Sequence, residues 1–140
     1  MTSRRETTDI LARTIYGEAR GETLRGKEAV AAVVLNRVAR TKERGRYWWG
    51  GDIAEVCTKP WQFSCWNPGD PNREKILAAQ PGTKAFNCCR RIARRAVAGA
   101  LKDPTGGATH YHHKALNPPW AKGRAPSAEI GDHLFYNDVE

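Results

Sequence analysis

The chain has 140 residues, 40% of them hydrophobic, with a mean hydropathy of −0.65. That is enough for one domain with a buried core, and no apolar run approaches the roughly 20 residues of a membrane-spanning helix. The 23 lysines and arginines against 15 acids leave a net charge of +8, which favours a polyanionic partner. Nucleic acid is the poorer candidate: the densest basic group, "CRRIARR" (89–95), spreads around a helix with no interleaved aromatics to stack on bases.

Residues 1–6 are expected to be a disordered tail, followed by one domain over 7–140. They carry two arginines but no apolar core or cleavage-site pattern, so no signal peptide is expected. "TTDILARTIYGEARG" then offers Thr8 or Asp9 as an N-cap and Ile10, Leu11, Thr14 and Ile15 as an apolar stripe at helical spacing. Gly21 is placed to end that helix, which puts Glu18 in its last turn and Glu22 just beyond. A helix C-terminus disfavours negative charge, so this is an unusual place for a structural acid. A second helix is expected from about Leu24 to Arg40, with Val30, Val33, Val34 and Val38 on its buried face and Asn36 hydrogen-bonded within the core.

Thr41 to Gly82 is rich in Gly, Pro, Trp and Asn and reads as an ordered, aromatic-held loop, with short helical pieces at Ile53–Val56 and Asn72–Ala79. Four of the five tryptophans, Trp48, Trp49, Trp61 and Trp66, fall in it. Trp48 and Trp49 read as core. Trp66 and Trp120, each beside Asn and Pro, are candidates for stacking on a sugar ring. A further helix is expected over Thr83–Leu101, with Ala85, Cys89, Ile92, Ala96 and Val97 inward. After "DPTGG", "ATHYHH" (108–113) and "GDHLFYN" (131–137) read as two strands of a small C-terminal β-hairpin joined by a polar, Pro-rich segment. The expected class is mainly α (α+β).

Three constellations bear on chemistry. Glu18, at the negative end of an apolar helix facing an aromatic loop, has an environment that keeps a carboxyl protonated, as glycosidic cleavage requires. Local sequence leaves a second reading open, a solvated helix end with Glu22 neutralised by Arg20 or Arg25. His110 and His112 alternate onto one strand face, and with His133 they are the candidates for a zinc amidase site. No HExxH spacing accompanies them, and histidines hydrogen-bonded near a cleft are the alternative. Cys65 with a histidine is the candidate nucleophile pair. A Cys57–Cys65 disulfide and buried free thiols both remain open, and Cys88 and Cys89 point to different sides of their helix.

Taken together, "LARTIYGEARGE", "GKEAVAAVVLNRV", "PWQFSCWNPGD", "GATHYHHKALNPPWAKG" and "IGDHLFY" resemble the SleB/CwlJ-type cell wall hydrolases, the family of the spore-cortex-lytic enzymes. The resemblance runs from about Leu11 to Tyr136. It implies a lysozyme-like, lytic-transglycosylase-like single domain that cleaves the MurNAc-GlcNAc glycan strand of peptidoglycan, with Glu18 as catalytic acid/base and no metal or cofactor. It further implies that Gln62, Phe63 and Ser64 border the cleft and that Tyr111, Asn117 and Trp120 line it. Glu22, Trp66 and His133 complete the expected substrate-binding set. The expected partner is the peptidoglycan strand, met by a monomer. With no export signal and no separate wall-binding module, a phage-type lysin made in the cytoplasm and acting on the wall after release is expected. A zinc-dependent amidase and a non-catalytic peptidoglycan-binding module are the alternatives.

Overall fold

The computed structural model describes residues 2–45, 49–60 and 62–139, so Trp48 and Trp61 lie outside the described residues. Five helices precede a small sheet: α1 (Arg4–Ala19), α2 (Leu24–Arg44), α3 (Ile53–Thr58), α4 (Pro71–Ala78) and α5 (Lys84–Val97), then β1 (His110–His113), β2 (Ala128–Ile130) and β3 (His133–Tyr136). Single 3-10 turns occur at Ser64–Trp66 and Pro119–Ala121.

Helix α1 starts earlier than the apolar stripe suggests. Ser3 accepts the Glu6 N–H at 3.1 Å and its hydroxyl donates to the Glu6 carboxylate at 3.0 Å, an N-cap that satisfies one of the otherwise orphaned first-turn N–H groups. Residues 4–6, expected as a disordered tail, therefore form the first turn. Leu11, Ala12 and Ile15 are fully buried and pack with Phe86, Cys89, Ile92 and Ala93 of α5. Phe86 fills the inward position expected for Ala85, which is exposed.

Helix α2 runs one turn further than expected, to a left-handed cap at Gly45 (φ 66°). Six consecutive residues, Ala29 to Val34, are buried. A run buried all round means that the helix is covered on two sides. Ala31 and Val34 face the α1–α5 core, whereas Ala29 and Val33 join Ala108, Ile130 and Phe135 beneath the sheet. Arg13 fixes α4 onto α1 by donating to the carbonyls of Leu77 and Ala79 at its C-terminal end.

The sheet has three antiparallel strands in the order β1-β3-β2, not two. Ile130 pairs with His133 across the two-residue turn Gly131-Asp132, with Gly131 at φ 56°. Such turns need positive φ, which glycine adopts without a Cβ clash. β1 pairs with β3 in the register His110↔Tyr136, Tyr111↔Phe135, His112↔Leu134 and His113↔His133.

Candidate active site

Strand alternation decides which C-terminal residues meet. Directly paired residues share a face, so Tyr111, Phe135, His113 and His133 occupy one side and His110, His112, Leu134 and Tyr136 the other. The first face meets the end of α1. Tyr111 Oη donates to Glu18 Oε1 at 2.6 Å, and Tyr111 packs against the rings of Phe135 (5.5 Å) and His133 (5.1 Å).

Glu18 lies against the 3-10 turn at Ser64–Trp66, where the N–H and thiol of Cys65 are near enough to its carboxyl to lower its pKa. This turn sits so close that a Cβ on Gly17 would lie 2.7 Å from Cys65 Cβ and 2.8 Å from both Cys65 Sγ and Ile76 Cγ2. Glycine is required there for close approach. Burial raises the Glu18 carboxyl above its ordinary range and Asp70 adds to the rise, while the bonds from Tyr111 and Cys65 partly oppose them. Burial also pushes the Tyr111 phenol well above its usual value, with the adjacent Glu18 charge contributing. The phenol therefore remains a donor at any working pH.

Behind this pair lies Arg37, a residue that the periodicity analysis passed over. It is buried, donates from Nε to the Thr109 carbonyl at 2.7 Å and from Nη1 to Gln62 Oε1 at 2.8 Å, and lies over the rings of Trp49 and Phe63. The available signal was an arginine on the valine-lined side of α2, where a cation needs partners. Asn36 bonds the Ala108 carbonyl at 2.9 Å and Asp103 at 3.0 Å.

Glu22 has other neighbours. Arg20 turns instead to Asn72 and the Tyr16 carbonyl, and Lys27 caps the Glu22 main-chain carbonyl. The Glu22 carboxylate accepts the Asp132 N–H at 3.2 Å and lies 3.8 Å from His133 Nδ1. It is held by the β2–β3 turn, not by the expected arginines.

The other expected cleft residues differ in burial. Phe63 is 2% exposed and belongs to the core. Trp66 is partly buried, donates its indole N–H to the buried Thr14 hydroxyl at 2.9 Å and packs on the core. Gln62 is half-buried and bound at both ends of its amide, to Arg37 and to the Trp49 carbonyl. Ser64 and Asn117 are exposed. Trp120 is half-buried against His110, His112 and Tyr136, on the opposite sheet face from Tyr111. Trp49, read as core, is partly buried and packs on it.

The zinc triad does not assemble, because His133 lies on the other face of the sheet from His110 and His112. His112 spends its ring nitrogens on Tyr136 Oη and the His113 carbonyl, and His110 bonds the Thr109 hydroxyl. No group of three His, Cys, Asp or Glu among the described residues is arranged to hold a metal ion. All four cysteines are free thiols, Cys57 and Cys65 fully buried. Burial pushes Cys57 up to about 12 and raises Cys65 as well. Cys65 contacts a carboxylate, so a Cys65–histidine nucleophile is not formed.

A family model described as Cell Wall Hydrolase matches residues 21–136. The match begins just after Glu18 and includes Glu22. The spore cortex-lytic enzymes of Halalkalibacterium halodurans and Bacillus subtilis are each 32% identical to this chain, over 131 and 129 residues that make up 91% and 90% of it. The chain spans only 34% and 36% of their lengths. Two solved structures share its fold. The catalytic domain of the Bacillus cereus SleB protein superposes with a TM-score of 0.72 at 26% identity, covering 97% of this chain and 92% of that one. The catalytic domain of the germination-specific lytic transglycosylase SleB from Bacillus anthracis gives 0.70 at 26% identity, covering 97% and 96%.

Proposed function

This chain belongs to the cell wall hydrolase family, and from that membership we propose that it cleaves the glycan strand of peptidoglycan as a lytic transglycosylase, with Glu18 as its one acid/base. The observation that carries the reading is the Glu18 carboxyl itself, enclosed, raised above its ordinary range and bonded at 2.6 Å by a phenol that stays protonated.

Glu18 in its acid form donates a proton to the oxygen between N-acetylmuramic acid and N-acetylglucosamine, and positive charge develops at the muramic acid anomeric carbon. The carboxylate produced is stabilised by the Tyr111 hydroxyl and the Cys65 N–H, bonds that strengthen when the acceptor is charged. The same carboxylate then removes the proton from the muramic acid 6-hydroxyl. That oxygen closes onto the anomeric carbon, giving a 1,6-anhydro end without added water. With the substrate as nucleophile, no second carboxylate has to hold a water. This suits a site in which Glu22 is engaged by the β2–β3 turn.

The test is mass spectrometry of fragments released from purified peptidoglycan by wild type and Glu18→Gln, with and without EDTA. Anhydro-muramic ends that persist in EDTA and vanish in the variant are expected. Reducing ends would assign water as the nucleophile, and freed stem peptides lost on chelation would make the protein an amidase. Wall binding with no fragments would leave only a binding module.

A further inference from the structure

We infer that Glu22 and His133 form a latch that positions Tyr111 against Glu18, and that both act on the protein rather than on the sugar. The inference rests on the reading of Glu18 given above.

The chain of contacts is continuous. Tyr111 bonds Glu18 through its hydroxyl, and its ring meets the His133 ring edge-on at 5.1 Å and 74°. His133 is 8% exposed, and its buried Nδ1 has no hydrogen-bond partner, with Glu22 Oε1 3.8 Å away. Glu22 Oε1 accepts the Asp132 N–H at 3.2 Å, so the oxygen that holds the turn is the one that faces the histidine. The two carboxylates thus reach each other through Tyr111 and His133.

The space around Glu22 is closed. A Cβ on Gly131 would lie 2.4 Å from Glu22 Oε1, and one on Gly26 would lie 2.9 Å from Glu22 Cβ. Gly131 also sits at φ 56°. Two glycines therefore wall in a side chain that is only 13% exposed, which leaves little of the carboxylate to offer a sugar hydroxyl. What the carboxylate does contact is the turn that sets the register of β3. That register places Phe135 directly opposite Tyr111 and His133 diagonal to it, both in contact with its ring. Loosening the turn gives the Tyr111 ring room to swing, and its hydroxyl leaves Glu18. Small misplacements of a catalytic pair are costly to the chemical step, more than to binding.

The experiment compares Glu22→Ala, Glu22→Gln, Gly131→Ala and the double Glu22→Ala/Gly131→Ala with wild type, first without substrate. Tyr111's bond holds the Glu18 carboxyl down, so loss of the latch moves the ¹³C-carboxyl titration of Glu18 to higher pH, in the same direction as Tyr111→Phe. Glu22→Gln keeps an oxygen for the Asp132 N–H and leaves that titration near wild type. In turnover, Glu22→Ala and Gly131→Ala lower kcat roughly tenfold with KM within about twofold of wild type. The double variant loses less than the sum of the two single ones, since both break the Glu22–turn contact while Gly131→Ala also strains the backbone at φ 56°. A rise in KM with the Glu18 titration unmoved would overturn the inference in favour of a sugar contact. Additive losses, or Glu22→Gln as defective as Glu22→Ala, would overturn it too. Should Gly131→Ala fail to fold, Glu22→Ala and its titration still decide. A wild type that releases no anhydro-muropeptides sinks the proposed activity, while the substrate-free titration still judges the latch.

Discussion

Glu18, in the last turn of α1, and Glu22, in the connection to α2, lie four residues apart, yet their surroundings are opposites. Glu18 has a phenol, a thiol and a main-chain N–H beside its carboxylate, with Asp70 adding negative charge nearby. Glu22 is held against a hairpin turn by a single N–H, with an unbonded His133 Nδ1 3.8 Å away on a histidine whose own pKa is lowered by burial. The difference shows that a carboxylate's role is set by what the rest of the fold brings to it and not by local sequence. The first surroundings suit the proton exchange proposed for Glu18, and the second suit the hold on a strand register inferred for Glu22.

Replacing Glu18 by Gln is expected to break this contrast most severely. Activity should fall roughly 1000-fold, the magnitude of a lost general acid, as read by muropeptide release. Tyr111→Phe should lower kcat by roughly tenfold or more, from the loss of a bond to a charged group. It should also move the alkaline limb of the pH–rate profile upward. Glu18 must begin protonated, Tyr111 lowers its pKa, and removing that donor lets the acid form persist to higher pH. Gly17→Ala tests the enclosing turn. The new methyl meets Cys65 and Ile76 at 2.7–2.8 Å, and overpacking of this kind costs about 1–3 kcal/mol, measurable in a urea titration along with weaker activity.

The smallest effect concerns stability. A carboxyl whose folded pKa is raised binds more protons in the native state above its ordinary value of 4.5, so its contribution is lost as pH rises through the folded pKa. Glu18→Gln carries no such charge, and its thermal midpoint at pH 7 should equal or exceed that of wild type, with the gap closing toward pH 4. A less stable Glu18→Gln at pH 7 would mean that the carboxylate is stabilising and that its enclosure has been misread.

Much of the helical half was legible because periodicity reports burial directly. The valines of α2 and the Leu11, Thr14, Ile15 stripe of α1 are buried as their spacing predicts. The site was legible only in part. Glu18 and Tyr111 are both residues that the family resemblance singles out, but the bond between them spans 93 residues, a distance over which no local pattern speaks. Phe63 and Trp66 lie in a loop-like stretch, where composition suggests exposure, and tertiary packing draws one into the core and ties the other to Thr14. Gly17 reads as a flexible joint in sequence, whereas its use is the close approach of Cys65. β2 was hidden because "AEI" has no alternation long enough to register, although Gly131-Asp132 between Ile130 and His133 is a hairpin signal. Strand pairing then put His133 on the opposite face from His110 and His112, which spacing alone did not foresee.

The most direct test of the account is to measure anhydro-muropeptide release by Glu18→Gln and Glu22→Gln side by side at equal protein concentration. The account predicts no detectable product from Glu18→Gln and release within about threefold of wild type from Glu22→Gln, whose amide oxygen still accepts the Asp132 N–H. Equal loss in the two variants, with both folded, would contradict it and make the pair of carboxylates act together on the substrate.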